Sequence, residues 1–160
     1  MTEKPSKPDT DLRDRPPRAG SPLRAILTGL TVDVGGSVLT GALLTIVYSA
    51  SLAASGMSSD DITEALKNLP PTSAVAILGI LAGSCWSVAG GYVCARIVQR
   101  DEYRVGSVMA WMSVFLGLLL GGADEPGDML VLTSLTTIAC VLLGVMYGVA
   151  ANRRREGPAT

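Results

Sequence analysis

The sequence of 160 residues contains no histidine, and its 13 Lys+Arg and 14 Asp+Glu residues leave a net charge of only −1. The lack of His removes the commonest metal ligand and the commonest general base. The balance of charge disfavours a nucleic-acid-binding protein, which would need a basic surface. Aromatic residues make up 4% and charged residues 17% of the chain, whereas 48% is hydrophobic and the mean hydropathy is +0.40. This composition predicts a membrane-embedded protein.

Proline is missing from four long apolar stretches, which cover residues 25–48, 72–96, 105–122 and 129–151. Each stretch has about 18 to 25 residues, enough to cross roughly 30 Å of hydrocarbon at 1.5 Å per residue. The nine prolines lie in the tails and connections, where helix breakers are tolerated. We therefore predict an all-α membrane protein, with four transmembrane helices in a compact bundle over residues 24–152.

Basic residues are concentrated on one side of this predicted bundle. Twelve of the 13 lie in residues 4–24, 96–104 and 153–155, whereas the other two connections are acidic and contain a single lysine, Lys67. Cytoplasmic loops of membrane proteins carry the excess of Lys and Arg. The pattern predicts a multi-pass protein of the plasma (inner) membrane with both termini cytoplasmic, including a basic C-terminal tail over residues 153–160.

The N-terminal residues 1–23 contain five prolines, mixed charges and few large apolar residues. Such a segment cannot bury enough surface to fold, so we predict a disordered cytoplasmic tail. A cleaved signal peptide is the alternative. It is disfavoured because the apolar run is about twice a typical signal core and contains Asp33.

The first outer connection contains a short helical pattern over residues 59–69. A serine precedes Asp60 and Asp61, which suit the positive end of a helix dipole, and Ile62 and Leu66 share one face. This pattern predicts an amphipathic helix on the outer membrane surface. A solvated loop with only nascent helix is the alternative, since helices of this length are marginal alone.

Small residues recur at helical spacing in the predicted spans, most regularly at every fourth position of the second span. Lipid provides no hydrophobic drive for helix association, so helices associate where small residues let backbones approach. We predict helix-packing contacts at seven glycines: Gly36, Gly41, Gly79, Gly83, Gly91, Gly144 and Gly148. A substrate path between the helices is the alternative interpretation.

Asp33 is the one acidic residue inside a predicted span. A charge at that depth costs roughly 2.5 to 3.5 kcal/mol on insertion scales, so it needs a partner or a function. We predict an intramembrane polar pair of Asp33 with Arg96, at the inner end of the second span. Two alternatives remain: a proton- or cation-coupling acid, and a protonated acid without function.

The sequence contains few residues that could bind a metal or a cofactor. The three cysteines, Cys85, Cys94 and Cys140, lie within spans and form no Cys-x-x-Cys motif. With no His to complete a metal site and no base beside a nucleophile, we predict no metal site, no cofactor and no catalytic residue.

Two motifs suggest a family. Asp33 begins an Asp-x-Gly-Gly run in the first span, and Gly90-Gly91-Tyr92-Val93-Cys94-Ala95-Arg96 ends the second. With the four-span layout, the chain resembles small uncharacterised bacterial inner-membrane proteins with Asp-x-Gly-Gly and Gly-Gly-Tyr-x-Ala-Ala-Arg motifs. Cys94 stands where those proteins often have Ala. The resemblance implies a bacterial plasma-membrane location and no particular activity.

Two function classes follow from these residues. The first is a non-enzymatic structural or accessory membrane protein, whose partners are the lipid bilayer, a second copy of the chain or another membrane protein, and not nucleic acid. The second is a small oligomeric transporter or channel that uses Asp33 as a proton or cation coupling site.

Overall fold

The computed structural model describes residues 20–120 and 127–155, and within these ranges the chain is helical without a β-strand. The five helices are α1 (Pro22–Ala54), α2 (Ser59–Lys67), α3 (Ala74–Val98), α4 (Glu102–Leu120) and α5 (Gly127–Arg155). Four of these described helices, all except α2, are long and apolar enough to cross a membrane. The predicted all-α class is therefore confirmed, as is the prediction of four helices long and apolar enough to span a membrane.

The helix ends follow local sequence signals. Pro22 opens α1, a position where its fixed φ suits the helix and its missing N–H costs nothing. The side chains of Ser58 and Ser73 accept hydrogen bonds from backbone N–H groups in the first turns of α2 and α3. After α1, Gly56 adopts a φ of 89°, which an L side chain would resist.

Several predicted boundaries differ from the structure: α3 is shifted by two residues from the predicted 72–96, and α4 begins three residues before residue 105. Helix α1 begins inside the predicted N-terminal tail and continues six residues past residue 48, because the small residues up to Ala54 do not interrupt it. Helix α2 is two residues shorter than predicted, and α5 extends through residues 153–155 of the predicted basic tail. Residues 1–19 and 156–160 of the two predicted tails lie outside the described residues.

Helix α3 is the centre of the bundle and packs most extensively against α1 and α5. Its last turn meets the start of α1, where the Gly20 N–H donates to the Ile97 carbonyl at 3.2 Å. It also meets the end of α5, where Asn152 Nδ2 donates to the Ala95 carbonyl at 3.0 Å. The arginines of the described residues therefore gather at one end of the bundle: Arg24, Arg96, Arg100, Arg104, Arg153, Arg154 and Arg155.

Burial divides the bundle into two halves. The half nearer the arginines, here called the arginine half, comprises residues 25–33, 87–98, 106–113 and 141–152, and it contains every buried residue of the described chain. Its largest fully buried side chains are Met109, Val141, Val145 and Cys94. The opposite half, here called the open half, comprises residues 34–54, 74–86, 114–120 and 127–140.

Candidate functional site at Asp33

Asp33 is buried, with 3% of its surface exposed, and lies on α1 at the border of the two halves. Ser87 Oγ on α3 donates a hydrogen bond to Asp33 Oδ1 at 2.7 Å, and Ser113 Oγ on α4 donates to Asp33 Oδ2. Both serines are buried as well. One carboxyl group thus joins three helices, and each of its two oxygens accepts a hydrogen bond from a serine hydroxyl.

The predicted pair of Asp33 with Arg96 is not present, and this corrects the interpretation made from the sequence. Arg96 Nη1 instead donates to Asn152 Oδ1 on α5 at 2.7 Å. Asp33 lies level with Ser87, nine residues before Arg96 on α3, so about 13 Å of helix axis separates the two charges. The arginine side chain turns to α5 and does not reach up the bundle.

Asn152 is the centre of this second polar cluster. Its Nδ2 donates to the Ala95 carbonyl at 3.0 Å and to Glu102 Oε1 at 3.4 Å, while its Oδ1 accepts from Arg96. The cluster joins α3, α4 and α5 at the arginine end. In the sequence, Asn152 is the last position of the predicted bundle and has no predicted role, although its position just before the last arginines was a usable signal.

A cavity of about 520 Å³ lies in the open half and is lined by α1, α3, α4 and α5. Asp33, Ser87 and Ser113 are its innermost lining residues. The wall mixes hydroxyl groups with aliphatic side chains, and the hydroxyl-bearing residues farther from Asp33 are Ser37, Ser84, Thr133, Thr136 and Thr137. The cavity is therefore a partly polar space inside the apolar bundle that ends on a carboxyl group.

The arginine half closes the cavity below Asp33. An added Cβ at Gly90 would lie 2.7 Å from the Gly29 carbonyl oxygen and 2.9 Å from Asp33 Cβ, so α1 and α3 touch backbone to backbone. The sulfur of Met109, which is fully buried, fills the space beside Gly29. Gly29 was not among the predicted packing residues, although its spacing of four from Asp33 was visible in the sequence.

Four of the seven glycines predicted to pack lie in close helix contacts. Cβ atoms at Gly91 and Gly144 would overlap the carbonyl oxygens of Val141 and Val88, and one at Gly148 would lie 2.6 Å from Ala95 Cβ. Gly36 lies against the indole ring of Trp86, whose Nε1 donates to Thr40 Oγ1 at 2.9 Å. The contact at Gly36 joins α1 to α3, and the other three contacts join α3 to α5.

The other three predicted glycines do not make such contacts. In the described residues, nothing lies within 4 Å of a Cβ placed at Gly41 or Gly79, so these two glycines make no packing contact between the described helices. At Gly83 the nearest atom, Ser37 Oγ, is 3.9 Å away, and Gly83 lines the cavity. A four-residue repeat advances by about 40° per step beyond a full turn, so the stripe from Gly79 to Gly91 winds around α3 by about 120°.

The remaining candidates for chemistry are dispersed. Cys85, Cys94 and Cys140 are all free thiols, and Cys94 is buried in the arginine half. Within the described residues no three His, Cys, Asp or Glu side chains form a group that would hold a metal ion.

Comparison with protein-family models, with curated proteins and with solved structures finds no match for the chain. The resemblance to small bacterial inner-membrane proteins therefore stays a prediction. The fold itself defines the broader class, a helical bundle of the multi-pass membrane type.

Proposed function

We propose that the chain is a non-enzymatic plasma-membrane protein that binds a proton or a small monovalent cation at Asp33, as the coupling site of a small transporter or channel. The observation that carries this proposal is the cavity of about 520 Å³ that ends on a buried carboxyl group. An ionisable residue inside a membrane span that faces a polar cavity marks an ion or proton path by default.

The chemistry of the lining favours a proton or monovalent ion over a divalent one. Among the described residues that line the cavity, Asp33 is the only acidic one, and the other polar groups of that described lining are serine and threonine hydroxyls. Ca²⁺ takes 6 to 8 oxygen ligands and Mg²⁺ needs near-octahedral coordination, in both cases with carboxylates as usual ligands. A single carboxylate with neutral hydroxyls balances one positive charge.

The orientation of the site follows from the positive-inside rule. In the proposed topology the arginine end faces the cytoplasm, both termini are cytoplasmic, and α2 lies on the outer side. The cavity then opens toward the outside, and the packed arginine half separates Asp33 from the cytoplasm. Passage of an ion through the protein requires a second arrangement in which the contacts around Met109 separate.

A structural or accessory role is the second candidate. It is supported by the hydrogen bonds through which Asp33 joins α1, α3 and α4. In this role the carboxyl group holds helices together and the cavity is filled by lipid, by a second copy of the chain or by another membrane protein.

Ion flux into liposomes separates the two candidates. The purified protein is reconstituted, and uptake of protons, Na⁺ and K⁺ is followed with internal dyes for wild type, Asp33→Asn and Asp60→Asn. Asp60 is an exposed acid in the first turn of α2, so its variant makes the same change outside the cavity. We expect flux in wild type and Asp60→Asn, and at least a tenfold loss in Asp33→Asn.

The same variants are melted in detergent, because Asp33→Asn also removes an acceptor from the two serines. A variant that remains folded but does not conduct supports the coupling role. Wild-type liposomes without flux of any of the three ions, or equal flux in both variants, would contradict the proposal and favour the structural role.

A further inference from the structure

A second cavity, of about 370 Å³, lies at the arginine end between the start of α1 and the turn that joins α3 to α4. Its lining residues include Arg100 and Arg104, together with Ser21 and Pro22 at the start of α1. It is separate from the Asp33 cavity and shares no lining residue with it.

The backbone around this cavity is fixed by specific contacts. The hydrogen bond from Gly20 to the Ile97 carbonyl ties the start of α1 to the end of α3, and a Cβ at Gly20 would overlap that carbonyl. Gln99 and Asp101 both adopt left-handed backbone conformations, with φ of 55° and 53°. These two residues reverse the chain within three positions and hold Arg100 between them at the edge of the cavity.

The charges around the cavity favour an anion. Among the described residues that line it, two are arginines, Arg100 and Arg104, and one is acidic, Asp101. In addition, α1 is a 33-residue helix whose first turn contains no acidic residue, and among the described residues no side chain caps it. Its first free N–H groups therefore add partial positive charge beside the two arginines.

The two arginines and the position of the cavity at the helix ends favour phosphate as that anion. Arginine presents a planar fork of N–H donors that matches phosphate oxygens in a bidentate geometry. The cavity lies where the apolar helices α1 and α4 begin and α3 ends, which is the level of lipid headgroups for helices of this length. Basic pockets between spanning helices on the cytoplasmic side are suited to anionic headgroups.

We propose that this cavity binds a phosphate group, carried by the headgroup of an anionic phospholipid. Arg100 and Arg104 contact the phosphate oxygens, and the lipid chains run along the exposed apolar surface of the neighbouring helices. The site shares no described lining residue with the Asp33 cavity, so this proposal does not rest on the transport proposal.

Native mass spectrometry of the detergent-solubilised full chain tests this site. The protein is titrated with phosphatidylglycerol, with phosphatidylcholine and with inorganic phosphate, and the lipid-bound fraction is measured. The variant R100Q/R104Q is compared with R154Q/R155Q, which removes the same charge from exposed positions of α5 that do not line the cavity. We expect wild type and R154Q/R155Q to bind phosphatidylglycerol at least tenfold more tightly than phosphatidylcholine.

The variant R100Q/R104Q should lose most of that preference, and R100K/R104K should keep part of it, since lysine retains the charge without the bidentate fork. Equal losses in R100Q/R104Q and R154Q/R155Q would overturn the site, because attraction would then depend on net charge alone. Binding of inorganic phosphate as tight as that of phosphatidylglycerol would overturn the lipid assignment. The melting temperature without lipid identifies any variant that fails to fold, for which the single variant Arg104→Gln replaces the double one.

Discussion

The arginine half and the open half of the bundle are built from the same four helices and from similar apolar residues, but only the first contains buried residues and packs helix backbone against helix backbone. In the arginine half, Gly91 and Gly144 face carbonyl groups of a neighbouring helix. In the open half, nothing described lies within 4 Å of a Cβ at Gly35, Gly79 or Gly117. Close packing in this membrane-type bundle therefore depends on where small residues meet a partner backbone and not on how many of them a helix contains.

A polar cluster lies at each end of the arginine half. Asp33 and its two serines lie where the cavity stops, and Arg96, Asn152 and Glu102 lie at the arginine end. Each cluster joins three helices. Hydrogen bonds between spanning helices contribute only about 0.6 kcal/mol on average, so these clusters add little to the attraction between the helices. The close glycine contacts hold the helices together, and the clusters fix how the helices are aligned.

The largest expected loss of stability comes from adding a single methyl group in the arginine half. Gly144→Ala places a Cβ on the Val88 carbonyl oxygen, where only movement of α3 or α5 makes room. We expect a loss of about 3 kcal/mol of unfolding free energy, the upper part of the range for overpacking, measured by denaturant titration in mixed micelles.

Gly79→Ala is the matched control in the open half. It adds the same methyl group where no described atom lies within 4 Å. Since alanine is the better helix former by up to about 1 kcal/mol, the variant should be as stable as wild type or slightly more stable. Equal destabilisation at both positions would mean that the two halves do not differ in packing.

A smaller effect is expected from the polar cluster at the arginine end. Arg96→Gln and Asn152→Ala remove opposite partners of one hydrogen bond, so each should cost about 1 to 2 kcal/mol and their double variant less than the sum. A double-mutant cycle should give an interaction energy above about 0.5 kcal/mol. The measurement is again unfolding in mixed micelles.

The cycle of Asp33→Asn with Arg96→Gln is the control, because the two residues share no partner. Their effects should add to within about 0.5 kcal/mol. A large interaction energy in this cycle would restore the Asp33–Arg96 pair and place the two polar clusters in one network.

The sequence predicts the helices well and their faces less well. Length, hydropathy and proline placement indicate the four long helices, because spanning segments need about 20 apolar residues without a breaker. Asp33 also stands out in the sequence, because it is an acidic residue within one of these apolar segments. Its true partners, Ser87 and Ser113, do not, since serine is common in such helices and only the rotation of α3 and α4 brings these two to Asp33. The rotation depends on contacts such as Gly29 with Gly90, which no single helix encodes.

The smallest expected effect compares the turns at the two ends of the bundle. Gln99, between α3 and α4, has a φ of 55°, and Gly56, after α1, has a φ of 89°. A left-handed conformation costs an L residue roughly 1 to 2 kcal/mol, while glycine costs about 0.5 to 1 kcal/mol in unfolded-chain entropy. Gln99→Gly should therefore raise the unfolding free energy by less than about 1 kcal/mol.

Gln99→Ala keeps the left-handed cost and should leave stability unchanged, whereas Gly56→Ala introduces that cost and should lower the unfolding free energy by about 1 kcal/mol. The three variants are measured in the same titration as Gly144→Ala. A higher unfolding free energy for Gln99→Gly would show that the left-handed turn costs stability, and that the helix contacts of the arginine half outweigh this cost. A loss would show instead that the Gln99 side chain holds the turn and that the end of the packed half depends on its loop.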